Sequence, residues 1–401
     1  MQKATIRDLV NMRGKRVFIR VDHNVPQDDS GAITDDTRIR ESLGTIRYCL
    51  EKGARVILCS HLGRPEGREP QWSLAPVAKR LGELLPKTKI IMAKDCIGPT
   101  VETQISNLAN GEILMLENIR FYKEETKNDA AFSKKLANLA DYYVNDAFGT
   151  AHRAHSSTEG IAHNLPAVAG FLLEKEIKIL GEGIDRPKRP LTVILGGKKV
   201  SDKIGVIDNL LKVANNILIG GGMMFTFAKA AGGNIGNSVL DSASLDYCKN
   251  VIEAAKRKKV NLVVAADCIA ADEFNNDANT QTTDAGSVPD GWQGLDIGPK
   301  ATEAFSKVIA QSGTIIWNGP MGVFEMDTFA KGTREIMNTI TENTNAVTIV
   351  GGGDTAFAVT KLGLADRFTH VSTGGGASLE LLEGKILPGV AALLPADAEI
   401  K

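Results

Sequence analysis

RVFIRVDHNVP (residues 16–26) is an apolar, β-branched run that leaves its strand not through glycine but through charged and polar side chains. Three more runs in the first half leave in the same way: RVILCSHLGRP (55–65), ILMLENIRF (113–121) and YYVNDAFGTAHRAH (142–155). After Pro190 the exits change. LTVILGG (191–197), ILIGGG (217–222), LVVAAD (262–267), TIIWNGPMG (314–322), VTIVGGGDT (347–355) and THVSTGGG (369–376) close on glycine or nearly so. Helical patterns lie between these runs, over 37–53, 74–85, 129–141, 202–214, 244–258, 299–311, 328–343 and 355–364. Strand alternating with helix at this spacing means βαβ units and a parallel sheet with helices on both faces. The expected fold class is α/β, with two doubly wound parallel-sheet domains, each a three-layer α/β/α. In open sheets of this kind ligands bind beyond the carboxyl ends of the strands. The two halves are therefore built for different ligands.

A chain of 401 residues exceeds the size at which one core keeps growing, which favours two domains. The segment FLLEKEIKILGEG (171–183) carries apolar positions at helical spacing and leads into the basic, proline-punctuated DRPKRP (185–190), which predicts a connecting helix. The expected division is a first domain over 1–170, a connecting helix or hinge over 171–185 and a second domain over 186–386, with a tail over 387–401. A net charge of −1 argues against a nucleic-acid or membrane-surface protein. The five cysteines are odd in number and lack C-x-x-C spacing, so they read as reduced core residues. No apolar run approaches the roughly 18 residues of a membrane span, and MQKATIRDLV has no signal-peptide character. A cytoplasmic protein is expected.

The first half gathers Arg38, His61, Arg64, Arg120, His152, Arg153 and His155 at or just after strand exits, beside Asp22 and Asn24. Guanidinium forks match carboxylate and phosphate oxygens two at a time, so this convergence points to a small ligand carrying both groups. Each arginine alone also fits a solvated surface charge. The histidines have no H-E-x-x-H pattern and no neighbouring cysteine, which disfavours zinc. In the second half, glycines let the backbone approach a ligand and the following helix N-termini favour anions, as a nucleotide requires. GGGDTA (351–356) fits G-x-G-x-x-A, yet His370 or Val371 stands where a dinucleotide site needs an acid for the ribose. No G-x-x-x-x-G-K-[ST] occurs. Asp354 could hold Mg²⁺ bridging phosphates or simply cap the helix expected near Thr355. Lys199 and Lys203, four apart, can face one side of an opening helix, and Glu325 could accept from ribose hydroxyls.

Ten ordered segments, RVDHNVP, SHLGRP, ENIRF, NDAFGTAHRAHSS, GGKKVSDKI, IGGGMMFTF, GLDIGP, WNGPMGVFE, GGGDT and HVSTGGGASLELLEGKILPGV, resemble the signature segments of the phosphoglycerate kinase family over residues 17–390. The resemblance implies two α/β domains facing each other across a hinged cleft, with the C-terminal tail returning to the first, mostly as a monomer. It implies a phosphotransferase with a carboxyl acceptor, reversibly moving a phosphoryl group between 1,3-bisphosphoglycerate and Mg-ADP to give 3-phosphoglycerate and ATP, in glycolysis, gluconeogenesis or carbon fixation. On that resemblance Asp22, Asn24, Arg38, His61, Leu62, Gly63, Arg64, Arg120 and Arg153 hold the phosphoglycerate. Lys199, Lys203, Gly294, Asn318, Glu325, Gly352, Gly353, Asp354 and Thr355 hold the nucleotide, with Asp354 acting through Mg²⁺. Arg38, Lys203, Gly374, Gly375 and Gly376 surround the group in flight. Such transfer is catalysed by positioning and charge stabilisation, without a side-chain nucleophile. Two positions depart from the family pattern. His23 stands where a large apolar residue is usual, and its replacement by Phe is expected to be neutral or stabilising. Lys198 stands where a small residue is usual. The competing readings are a doubly wound dehydrogenase, which lacks its ribose acid here, and a non-catalytic nucleotide-binding protein.

Overall fold

The computed structural model describes residues 2–400. Two compact units divide the chain: one runs to Lys178 and resumes at Ile386, and the other spans Ile179–Lys385. The division falls inside a single helix, Phe171–Asp185.

The first unit is built on a six-stranded parallel sheet in the order Ile90–Met92, Ile113–Met115, Arg55–Cys59, Arg16–Arg20, Tyr142–Asn145, Ala167–Ala169. Register explains why these runs are apolar at every position rather than at alternate ones. Val17 lies beside Val56 and Ile19 beside Leu58, while Val56 and Leu58 meet Ile113 and Met115. All six sit in one cluster with Ile39, Ile46, Val77 and Leu81 from the flanking helices. The intervening Phe18, Ile57, Leu114 and Tyr143 are equally buried on the other face. A parallel sheet covered on both faces requires this continuous run, and each such side chain contributes about 2 kcal/mol on burial.

The second unit repeats the design with the order Asn261–Val264, Asn216–Ile219, Leu191–Leu195, Thr314–Asn318, Val347–Gly351, His370–Val371. Its core joins Ile194, Leu218, Ile315, Trp317 and Val350 to helix residues such as Phe305, Ile336 and Val359. The chain switches direction between Leu191–Leu195 and Thr314–Asn318, which are neighbours in the sheet but far apart in sequence. At that switch point the two exit loops touch. A Cβ on Gly196 would lie 2.1 Å from the Pro320 carbonyl oxygen, so only glycine fits.

Ten of the twelve strands in these two sheets are those read from the sequence. Ile90–Met92 and Ala167–Ala169 were not, being three residues long and, in the second case, alanine-rich. The all-parallel expectation is also incomplete. Asp267–Ala271, Thr280–Asp284 and Gln293–Ile297 form an antiparallel sheet in the second unit, whose Thr-rich middle strand is exposed and lacks an apolar signal. Helices Pro99–Ser106 and Met223–Ala230 were likewise unread. No helix among the described residues is long and apolar enough to cross a membrane.

His23 lies three residues past the end of the Arg16–Arg20 strand and is fully buried. Its Nε2 is 2.8 Å from the Ser42 hydroxyl, which itself donates to the Ile39 carbonyl, so the ring donates to Ser42 through Nε2–H. Nδ1 has no partner. Burial lowers the pKa of this imidazole from 6.5 to about 4. The unfolded chain therefore takes up a proton that the folded chain refuses, and stability present at neutral pH is lost as pH falls from about 6.5 towards about 4. The loss at pH 5 amounts to about 2 kcal/mol. Calorimetry at pH 7 and pH 5 is expected to show a smaller fall in Tm for His23→Phe than for the parent chain; equal falls would refute this account of His23.

Candidate active site

The strand exits of the first unit converge. Arg64, Arg120 and Arg153 line one cavity of about 660 Å³, together with Tyr122, Lys123 and His155. Asp22, Asn24, Arg38, His61, Leu62 and Gly63 are not in its lining but are linked to it through hydrogen bonds and ion pairs. Arg38 is paired with Asp22 at 2.9 Å. The Gly63 amide donates to Asn24 Oδ1 at 2.8 Å, and Arg120 donates to the Gly63 carbonyl. The Leu62 amide donates to the buried Asn118, which also orients the Arg120 amide. Gly63 has φ +60°, and a Cβ there would lie 2.1 Å from the Trp72 ring.

Burial among like charges sets the protonation of this site. Burial, then Arg20, Arg120, Arg38 and Arg153, hold the His61 pKa well below its ordinary value. His155 falls to about 4 for the same reasons, burial first. Arg120 is lowered to about 10 by burial, with Arg20 and Arg153 adding to the effect. Neutral histidines and charged guanidinium groups thus share one wall. Such a wall suits a compact polyanion, because the ligand's charge offsets the mutual repulsion of these cations.

In the second unit a pocket of about 460 Å³ is lined by glycine exits and apolar side chains. Gly197, Gly221, Gly222 and Gly294 line it beside Met224, Phe225, Val323 and Phe324, and a Cβ on Gly294 would lie 2.0 Å from the Phe225 ring. Glu325 and Asp354 bring carboxylates to its lining, and both are exposed. Asp354 lies in the first turn of helix Gly353–Lys361, whose N-cap is Gly352 at φ +89°, so it is not the cap residue. The Thr355 hydroxyl accepts from the Gly319 amide at 2.7 Å and so joins two strand exits. Lys203 is buried and donates to Asn318 Oδ1, while Asn318 Nδ2 is buried without a partner. Burial lowers the Lys203 pKa to about 8.

One expectation is corrected here. Lys199 and Lys203 do not stand on successive turns of one helix. Residues Ser201–Lys203 form a 3₁₀ turn, fixed where Asp241 accepts from the Ser201 amide at 2.8 Å, and the α-helix begins only at Ile204. Lys199 is consequently exposed and apart from the pocket lining, whereas Lys198 is part of it. Gly374 precedes the N-cap Gly375, at φ +49°, of helix Gly376–Leu382, as a loop that opens a helix requires.

Sequence reading missed Tyr122 and Lys123 in the first site and Phe225 and Asp296 in the second. Asp296 is buried, accepts from the Ile297 and Gly332 amides, and is pushed up to about 7 by burial. It stood in the quoted GLDIGP segment, but nothing in that segment distinguishes a buried carboxylate from a loop acid.

Residues 6–385 match the family model described as Phosphoglycerate kinase. The chain is 54% identical over 398 residues to the phosphoglycerate kinase of a Nostoc species, covering 98% of this chain and 99% of that one. It is 53% identical over 398 residues to the chloroplastic phosphoglycerate kinase 2 of Arabidopsis thaliana, covering 98% and 83% of the two chains. Among solved structures, phosphoglycerate kinase from Coxiella burnetii superposes with a TM-score of 0.88 at 41% identity, covering 97% of this chain and 98% of the other.

Gly63 and Gly31 separate two costs of a side chain. Both have positive φ, but a Cβ at Gly31 meets nothing within 4 Å. Urea denaturation is expected to show a loss of about 1 kcal/mol for Gly31→Ala and at least twice that for Gly63→Ala, which must also displace Trp72; equal losses would mean that the Trp72 contact carries no constraint.

Proposed function

This chain belongs to the phosphoglycerate kinase family, phosphotransferases with a carboxyl acceptor, and on that premise we propose how its residues share the reaction. The observation that carries the reading is the pair of unlike pockets: one walled by Arg64, Arg120 and Arg153, the other lined by glycines with Glu325 and Asp354 at hand. The first unit binds 3-phosphoglycerate or 1,3-bisphosphoglycerate, and the second binds ATP or ADP. Arg64, Arg120 and Arg153 take the phosphate of the phosphoglycerate. Asp22, Asn24, His61 and the Leu62–Gly63 backbone orient the rest of the molecule, and Arg38 faces the acyl phosphate.

Gly294 and Phe225 flank the base, Glu325 accepts from the ribose, and Gly352, Gly353 and Thr355 present the phosphate-binding loop. A lone exposed carboxylate in the first turn of a helix fits Mg²⁺, which takes one or two protein carboxylates and completes its shell with phosphate oxygens and water. The ion would neutralise phosphate charge. Lys203 and the amides of Gly374, Gly375 and Gly376 stabilise charge on the transferring group, and Lys199 attracts the phosphates from outside. Because the ligands belong to different units, transfer requires bringing them into line. The helix Phe171–Asp185, in which the two units divide, is where we place the hinge. Water excluded on closure cannot intercept the acyl phosphate. We place the enzyme in the cytoplasm as a monomer.

The test is ATP- and Mg²⁺-dependent phosphorylation of 3-phosphoglycerate, coupled through glyceraldehyde-3-phosphate dehydrogenase to NADH oxidation. Turnover is expected to fall by about 100-fold or more in Lys203→Ala. The depressed Lys203 pKa adds a second expectation with a definite sign. The ammonium is present below about 8 and lost above it, so kcat/KM for ATP declines as pH rises through that value in the parent enzyme, and this decline disappears in Lys203→Ala. Absence of turnover from folded parent protein would sink the reading.

A further inference from the structure

Arg20 belongs to neither pocket lining, yet it is a large charged side chain only 1% exposed, on the last residue of the central strand. Its surroundings form a chain of directed hydrogen bonds. Nε donates to Ser157 Oγ at 2.8 Å, and one terminal nitrogen donates to the Val21 carbonyl. The other terminal nitrogen is 3.2 Å from His61 Nδ1. Ser157 passes the chain on: its hydroxyl donates to Glu125 Oε1 at 2.6 Å and its amide to Oε2 at 2.9 Å. Glu125 and Ser157 are completely buried.

We propose that Glu125, Ser157 and Arg20 are positioning residues that fix His61 as a neutral imidazole protonated on Nε2, so that the ring offers one N–H donor to the phosphoglycerate. The direction of each bond follows from the donor inventory. A guanidinium has no acceptor, so Nδ1 must present its lone pair, and Ser157 Oγ must receive from Arg20 and spend its own hydrogen on Glu125. Asp22 competes for Nδ1. A carboxylate there would draw a proton onto Nδ1 and favour the opposite tautomer. Its Oδ1 is 3.8 Å away, beyond hydrogen-bond distance, and its Oδ2 is held by Arg38 at 2.9 Å. Arg20 therefore prevails at Nδ1. Burial first, then Arg20, Arg120, Arg38 and Arg153, oppose a second proton on the ring. Nε2 makes no hydrogen bond within the described residues, which leaves it for a ligand. Glu125 offsets the charge of Arg20, so the relay orients the ring without adding net charge to a wall already rich in cations.

The statement about the ligand rests on the function proposed above, whereas the protonation state can be read without substrate. Long-range ¹H–¹⁵N spectra of the full chain are expected to show His61 with unprotonated Nδ1 and protonated Nε2, unchanged from pH 8 to pH 5.5. Ser157→Ala removes the acceptor that anchors Arg20 Nε, and Arg20→Lys removes the guanidinium fork, so in both variants the hold of residue 20 on Nδ1 weakens against Asp22. The expected results are growth of the Nδ1-protonated form and a rise of about tenfold in KM for 3-phosphoglycerate, with KM for ATP unchanged. A protonated Nδ1 in the parent chain, or a ring titrating above pH 6, overturns the proposal. So does a Ser157→Ala spectrum and KM identical to the parent's, and this variant removes only a hydroxyl should Arg20→Lys fail to fold. The expected spectrum in a parent chain that shows no turnover would overturn the phosphoglycerate role while upholding the relay's hold on His61.

Discussion

Neither sheet offers water a face. In the first unit Val17, Ile19, Val56 and Leu58 are buried on one side and Phe18, Ile57 and Tyr143 on the other, and the second unit repeats this with Ile194 and Trp317 against Val193 and Ile316. A strand buried on both sides cannot carry polar chemistry along its length without desolvating it. Charged groups therefore gather at the strand ends, the few polar side chains within strands, such as Thr192 and Tyr143, being buried with hydrogen-bond partners, and every exit of one sheet opens at the same edge. That single constraint gathers arginine from exits as far apart in sequence as Arg64 and Arg153 into one cavity. It also gathers glycine from Gly197 to Gly322 into another. Arg20 tests the rule. It ends its strand, is buried, and needs Ser157, Glu125 and a backbone carbonyl to be tolerated there.

The electrostatics of the two sites differ accordingly. In the first, several guanidinium groups share a small volume, and the histidines among them give up their protons before the arginines do. In the second, the charged groups are mostly apart from one another: Lys203 is depressed chiefly by burial, with Asp202, Asp354 and Glu383 pulling the other way. A site of crowded like charge gains from a multiply charged ligand. A site of sparse charge and exposed amides gains from a ligand that brings its own cation.

The sequence made the parallel framework legible because burial on both faces leaves an uninterrupted signal, as in LTVIL at Leu191–Leu195. It concealed Thr280–Asp284, where exposure removes that signal, and Ala167–Ala169, whose side chains are too small to carry it. Charged exit residues such as Arg120 stood out for being polar beside apolar runs. Lys199 was misplaced because spacing cannot tell a 3₁₀ turn from the first turn of a helix, and what decides is the bond from Ser201 to Asp241, 40 positions away. The buried carboxylates of Glu125 and Asp296 were illegible for a similar reason. Their partners, Ser157 and Gly332, are neighbours in space and not in sequence.

The last residues of the chain complete the first unit. Lys3 donates to the carbonyls of Ala391 and Leu393, the Ala4 amide donates to Leu394, and the Leu394 amide donates to Ala167 at the sheet's edge strand. During synthesis the edge formed by Ala167–Ala169 leaves the ribosome long before the segment that covers it, with the whole of Ile179–Lys385 translated in between. The second unit is contiguous and waits for no later segment. The first is an open book throughout that interval, its seam sewn only after the whole second unit has been made, so the order of emergence and the order of completion run opposite ways.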